Sequence, residues 1–369
     1  MFGIFGENGD KNSSPARTAE NGDILAIHPE SEVQAHAHGP SGPAFPGMAP
    51  ETARNMVKVK FSNAMVQDGI TDIHIILSPD RSSMSGWIRV KGVLVRVEEF
   101  IDDLDDENLK WNIWNEGRND ESLSLANGKR LRVSKRTTLE KAGNEVFLRV
   151  LPEKIPPVVY SLSDILEPVM SPTSGILLVS GITGSGKSTI LASLAQSYLD
   201  SDGAHIVSIE DPVEYLLSGT EFGYASQRDV GTDVESFAEG VRQALREDPD
   251  VILVGEVRDP DTASAALTAA ETGHMVLATV HAPSCFGAID RYLALLGSEE
   301  YNAMRFSHAY LGGIHIETFP PLSSGGGVRR NYEVFFNNDA SRTHIRERKT
   351  HQLGQARNIV INKTLADCH

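Results

Sequence analysis

One short stretch of this chain has the residue types and spacing of a phosphate-binding loop. Gly181, Gly186, Lys187 and Ser188 in GITGSGKST satisfy G-x-x-x-x-G-K-[ST]. Four constrained positions match at random about once in 80,000 windows, so a chain of 369 residues is expected to hold well under one chance match. Glycines let a backbone wrap closely around phosphates and turn its N–H groups inward. The helix that follows adds positive potential at its N-terminus. Lys187 then reaches the β- and γ-phosphates, and Ser188 offers an oxygen to Mg²⁺. The candidate nucleotide-binding run is Gly181, Ile182, Thr183, Gly184, Ser185, Gly186, Lys187, Ser188 and Thr189. A ligand-free glycine turn would leave a sheet-end lysine without an anion.

Carboxylates stand at the ends of two other apolar runs. VSIED places Glu210 and Asp211 where one strand stops, and VILVGE places Glu256 at the end of another. Ligands of open parallel sheets sit outside the carboxyl ends of the strands. One such acid can hold Mg²⁺ through water, and another can orient or deprotonate the attacking water. Spacing does not divide these roles, and a lone strand-end acid is commonly a helix cap or an ion-pair member. His274 and His281 bracket the strand MVLATV. They read either as ordinary structural histidines or as groups sensing the γ-phosphate.

The elements around these residues alternate. GILLVSG, AHIVSIED, DVILVGE and MVLATVH are apolar strands, separated by the helices STILASLAQSYL, ESFAEGVRQALR and DTASAALTAAETG. Such a pattern predicts a parallel sheet covered on both faces. Ahead of it, ETARNMVKVKFSNAMVQDG reads as an amphipathic helix. The strands TDIHIILSP, GWIRV, GVLVRVEEF, KRLRVSKRTTL and EVFLRVL follow, with a turn at Lys91-Gly92, a polar helix around 106–115 and a KAGN joint. The organisation expected is a flexible Gly/Pro/His-containing tail over residues 1–52 and a small α+β domain over 53–152. A proline-rich linker over 153–160 and an α/β domain over 161–369 complete it. His28, His36 and His38 in the tail read as solvated rather than metal-binding.

Composition narrows the function classes. The formal net charge of −16 argues against a protein that coats nucleic acid, although KRLRVSKR (129–136) is a basic strand. Two cysteines, Cys285 and Cys368, exclude a disulfide framework and an internal four-cysteine zinc site. Cys285 reads as a small buried thiol. No apolar run is long enough to span a membrane, and the first residues do not read as a signal peptide.

Taken together, the motifs resemble the type II/IV secretion and type IV pilus ATPases, a hexameric branch of the RecA-like P-loop motors. GITGSGKST is similar to their Walker A box and IEDPVEY to their aspartate box. ALREDPDVILVGEVRD is similar to Walker B, and TGHMVLATVHA to the histidine box. The likeness extends back to ITDIHI, WIRVKGVLVRV and RLRVSKRTTL, and is most specific between Gly175 and Arg291. It implies a RecA-like ATPase domain behind a PAS-like α+β domain. It makes Glu210 the best candidate for the general base and Glu256 the acid at Mg²⁺. Lys187 and Ser188 would grip phosphates and metal, and His274 and His281 would be the histidine-box pair. Arg132 and Arg149 match family arginines presented to nucleotide. ATP and Mg²⁺ are the implied cofactors.

The tail is short and polar and the zinc cysteines are missing, which points to the compact branch similar to pilus-retraction and type IVB secretion or conjugation ATPases. LGGIHIETFPPL departs from the likeness, standing where the family usually has a more polar helix, while SSGGGVRRNYEVFFNN fits a loop and a strand. The function expected is a cytoplasmic homohexameric motor working on inner-membrane components of a secretion, conjugation or pilus machine, without stable nucleic-acid binding. A nucleic-acid translocase on the same core is the alternative.

Overall fold

In a computed structural model of the chain, the described residues are 70–77, 83–90, 93–100, 120–125, 128–137, 144–170, 173–319, 329–355 and 360–366. The expected tail, the two expected helices before and within the first domain, the Lys91-Gly92 turn and most of the KAGN joint lie outside them.

Six strands form an antiparallel sheet: β1 (Ile70–Leu77), β2 (Ser83–Val90), β3 (Val93–Phe100), β4 (Asp120–Ser124), β5 (Arg130–Thr137) and β6 (Asn144–Val150), in the order β3-β2-β1-β6-β5-β4. Alternation decides which face is covered. Ile73, Ile75 and Leu77 of β1, Leu131 and Val133 of β5, and Val146 and Leu148 of β6 are buried, while the residues between them face outward. β4, with the polar sequence DESLS, is not among the strands that periodicity predicts.

The proline-rich segment bends at Glu153 and Lys154 and is without regular structure up to Pro157; it then turns helical earlier than expected, in α1 (Val158–Ser161), followed by α2 (Ser163–Met170). Proline fixes φ at a value that suits the entry to a helix, so Pro156 and Pro157 set up the turn rather than delaying it.

A second sheet has eight strands, in the order β14-β13-β12-β7-β11-β10-β8-β9. These are β7 (Gly175–Gly181), β8 (His205–Glu210), β9 (Tyr224–Asp229), β10 (Val251–Val254), β11 (Met275–Val280), β12 (Tyr310–Phe319), β13 (Arg329–Phe336) and β14 (Val360–Ala366). The run from β12 to β9 is parallel, and β13 and β14 add antiparallel at one side. β7, β10 and β11 are buried along their whole length, as continuous apolar runs require when both faces are covered. One face packs against α2 and α3 (Lys187–Asp202) through Leu166, Ile190, Leu194 and Leu199. The other packs against α4 (Phe237–Ala244), α5 (Pro260–Glu271), α6 (Cys285–Leu295) and α7 (Glu300–Ala309) through Val241, Leu267, Ile289 and Phe306.

LGGIHIETF lies in strand β12, where the absence of a side chain at Gly313 lets Tyr310 pack close; a Cβ there would come 2.6 Å from the Tyr310 hydroxyl. Cys285 is buried, as its residue type suggests.

Candidate functional site

The phosphate loop leaves β7 at Gly181 and enters α3 at Lys187. Gly181 has φ 154° and Gly186 φ 101°, conformations that favour glycine. A Cβ on Gly181 would stand 2.5 Å from Ser185 Oγ and 2.8 Å from the Ile316 carbonyl, so only glycine fits that start of the loop. The Ser185 amide donates to the Ile182 carbonyl at 3.2 Å, which closes the turn.

Lys187 folds back over the loop. Its Nζ donates to the Gly181 and Ile182 carbonyls at 3.1 and 3.0 Å and lies 3.4 Å from His281 Nδ1. His281 Nε2 is in turn 3.6 Å from Glu256 Oε1. Burial lowers the Lys187 pKa, opposed by the charges of Glu256 and Glu214. Three residues from the ends of three neighbouring strands thus meet: Lys187 after β7, Glu256 after β10 and His281 after β11.

Glu210 ends β8. Its Oε1 accepts hydrogen bonds from Ser208 Oγ at 2.8 Å and Gln227 Nε2 at 3.3 Å. Burial pushes its pKa up to about 7; those two hydrogen bonds act against the rise, and the charges of Glu214 and Asp229 add to it. Beside it is a cavity of about 20 Å³ lined by Ser188, Tyr215, Gln227 and Gly255 among others. That volume admits about one water molecule. A carboxylate with a pKa near neutrality, facing a water-sized space next to the P-loop serine, can accept a proton from attacking water.

The oxygen donors suit Mg²⁺. Among the described residues no group of three or more His, Cys, Asp or Glu forms a metal cage. Mg²⁺ is commonly bound through one or two protein oxygens plus substrate phosphates, and the Ser188 hydroxyl and Glu256 carboxylate are hard oxygens of that kind.

The two histidines separate. β11 puts His274 seven residues before His281, about 23 Å away along an extended strand. His274 Nδ1 lies 3.1 Å from the Ala269 carbonyl and 3.3 Å from Thr272 Oγ1, at the end of α5. The chain therefore does not bring it to Lys187. Arg132 and Arg149 are register partners in the six-stranded sheet. Arg149 Nε donates to Asp72 Oδ1 at 2.9 Å in that same sheet.

Arg130, two residues earlier than Arg132, makes the contact with the acid-bearing loop. It donates to the Val213 carbonyl at 2.9 Å and the Glu214 carbonyl at 3.4 Å, and lies in the field of Asp229 and Glu210. Asp229 accepts from the Val213 amide at 2.6 Å with one oxygen and from Ser122 Oγ at 2.8 Å with the other. Gln227 also donates to the Tyr215 carbonyl at 2.8 Å and accepts from the Leu217 amide at 2.8 Å. Arg130 belongs to the basic strand KRLRVSKR; Gln227 and Asp229, in the polar run YASQRD, carry no signal in the sequence.

A mostly parallel sheet with a phosphate loop leaving a central strand, and acids at the next strand ends, defines the RecA-like P-loop class. Residues 119–311, just over half of the chain, match the family model described as Type II/IV secretion system protein. The chain belongs to this family. It is 35% identical over 291 residues to the uncharacterized protein YggR of Escherichia coli strain K12, covering 78% of this chain and 88% of that one. It is 36% identical over 219 residues to the type IV pilus retraction ATPase PilT of Pseudomonas aeruginosa, covering 59% and 63%. Among solved structures, the pilus retraction motor PilT with bound ADP superposes with a TM-score of 0.67 at 32% identity, covering 81% of this chain and 89% of that one. The Legionella pneumophila ATPase DotB shares the fold, with a TM-score of 0.66 at 23% identity and coverage of 85% and 90%. Among the described residues no helix is long and apolar enough to cross a membrane.

Proposed function

We propose that this chain is the ATP-hydrolysing subunit of a hexameric motor that drives a secretion, conjugation or type IV pilus machine. The observation that carries this reading is the convergence of Lys187, His281, Glu256 and Glu210 on one edge of the sheet, around the phosphate loop. Bound Mg²⁺, held by Ser188 and Glu256, supplies charge neutralisation at the phosphates. Lys187 exchanges its loop carbonyls for β- and γ-phosphate oxygens. Glu210 takes the proton of the attacking water, with Ser208 and Gln227 fixing one of its oxygens so that the other is presented. His281 orients Lys187 and Glu256 from between them.

The motor stroke in this reading is a movement of the six-stranded sheet against the P-loop sheet, with 153–157, the stretch ahead of α1, as the hinge. Arg130 and Ser122 couple the two: Arg130 grips the Val213 and Glu214 carbonyls after Glu210, and Ser122 grips Asp229, whose other oxygen holds the Val213 amide. Arg132 and Arg149 are assigned to the nucleotide of the assembled ring. The basic strand is engaged inside the chain, Lys129 lying 3.8 Å from Glu153 and Arg130 on backbone carbonyls, which favours a protein-driving motor over a nucleic-acid translocase.

Phosphate release is the direct test. Mg²⁺-dependent ATP hydrolysis that disappears in Lys187→Ala supports the reading, and hydrolysis unchanged in that variant overturns it. Sedimentation with ATP tests the ring. Salt-sensitive binding of single-stranded DNA would favour the translocase.

A further inference from the structure

The phosphate loop is also held from the side away from its acids. β12 and β13 lie across β7 from β11, and their register pairs Thr318 with Arg330. Both side chains of this pair donate to one atom, the Ser185 carbonyl oxygen: Arg330 Nε at 3.0 Å and Thr318 Oγ1 at 3.4 Å. The guanidinium lies against Gly186, where a Cβ would stand 3.3 Å from Arg330 Nε and 3.7 Å from its Cζ. Gly186 thus meets two needs, a left-handed φ and room for the arginine. Ser185 is itself fully buried, so its carbonyl has no water to turn to.

A loop that cradles phosphates must point N–H groups inward and carbonyl oxygens outward. Each carbonyl turned inward sets a partial negative charge against the anion. A charge-assisted hydrogen bond is roughly twice as strong as a neutral one, so Arg330 is the stronger of the two restraints. The stretch matched by the family model ends at 311, before either donor. The clamp comes from VRRNYEVFF and IETF, outside the matched residues.

We propose that Arg330 is a positioning residue for the phosphate loop. It holds the Ser185 carbonyl on the β12–β13 side and so keeps the loop's N–H groups turned toward nucleotide phosphates. This assignment rests on the ATP site proposed above. It separates binding from chemistry: Arg330 holds a carbonyl of the cradle, whereas Glu210 is held by Ser208 and Gln227.

The full chain with Arg330→Met keeps an aliphatic stem and removes both donor and charge. Equilibrium binding of ATP and ADP is measured beside steady-state hydrolysis. Affinity for both nucleotides is expected to fall about tenfold, with kcat at saturating ATP within about threefold of wild type. Thr318→Val removes only the weaker donor, and a loss of about two- to threefold for both nucleotides is expected. It carries the test if circular dichroism shows that Arg330→Met does not fold. ADP affinity unchanged in Arg330→Met, or unchanged in Thr318→Val where the first variant fails to fold, overturns the assignment. A fall in kcat with unaltered affinity also overturns it. A wild-type chain that binds no ATP overturns the functional reading and the assignment together; a wild-type chain that binds ATP no better than a folded Arg330→Met overturns the assignment alone.

Discussion

The two ends of β11 are built from similar residues and differ in what surrounds them. At the carboxyl end, His281 stands between an ammonium and a carboxylate that belong to neighbouring strand ends. At the amino end, His274 is fastened to the last turn of α5 through Ala269 and Thr272. The nearby cavity at that end, about 410 Å³ and lined by Glu271, Tyr301, Arg305 and His308 among others, has its main charges already paired, Arg305 with Glu271. Parallel strands point all their carboxyl ends the same way, so chemistry-bearing side chains placed just after strands gather at one edge. Residues placed just before strands gather at the other edge, where they cap helices. Sequence distance from a strand matters less than which side of it a residue follows.

The strongest way to break this contrast is at Glu210. Glu210→Gln should retain ATP binding and lose about 10²–10⁴-fold in turnover, measured as phosphate release on nucleotide-saturated protein. Wild-type turnover in that variant would move the base to Glu214 or Glu256. Lys187→Ala should lower turnover by about 10²–10³-fold and weaken nucleotide binding as well, so the two variants differ in the binding assay. His281→Ala should cost about tenfold in kcat/KM, while His274→Ala should leave kcat/KM within about twofold. The latter should instead lower unfolding free energy by about 1 kcal/mol, the worth of a helix-end hydrogen bond. Equal kinetic losses in the two histidine variants would erase the distinction between the edges.

The pH dependence sharpens the same point. With Glu210 raised to about 7, activity should climb with pH through that value as the carboxylate forms. Stability should move oppositely. The folded chain holds this proton more tightly than the unfolded chain, so the contribution is full below the unfolded carboxylate value and is lost as pH rises through about 7. Glu210→Gln, which cannot ionise, should therefore be more stable than wild type at pH 8, by on the order of 2–3 kcal/mol in denaturant unfolding. A less stable variant would mean that Glu210 is held mainly by favourable interactions of its charge.

Much of the site is legible in the residue pattern alone. The phosphate loop announces itself because backbone wrapping demands glycines at set positions, and the strand-end acids because the mostly apolar β8 and the wholly apolar β10 run into polar residues. β9 is not legible in that way. YASQRD is a polar strand at the side of the sheet, partly exposed, and lacks the alternation that covered strands show. Gln227 and Asp229 stay hidden with it. Arg130 is visible as part of a basic strand, but choosing it over Arg132 requires the register that sets Arg132 beside Arg149 and leaves Arg130 over Val213. His274 and His281 show the limit of spacing alone: seven residues span about 10 Å along one face of a helix and about 23 Å along a strand.

Asp229 has a consequence for amide exchange. One of its oxygens protects a single backbone proton, that of Val213, and its other oxygen is satisfied by Ser122 from the opposite sheet. Parting of the two sheets would strip the carboxylate of Ser122 and of the nearby Arg130 charge, leaving it to solvent. Deuterium uptake at this amide would then time each separation of the sheets, a clock whose ticking ATP turnover should quicken and Ser122→Ala should loosen.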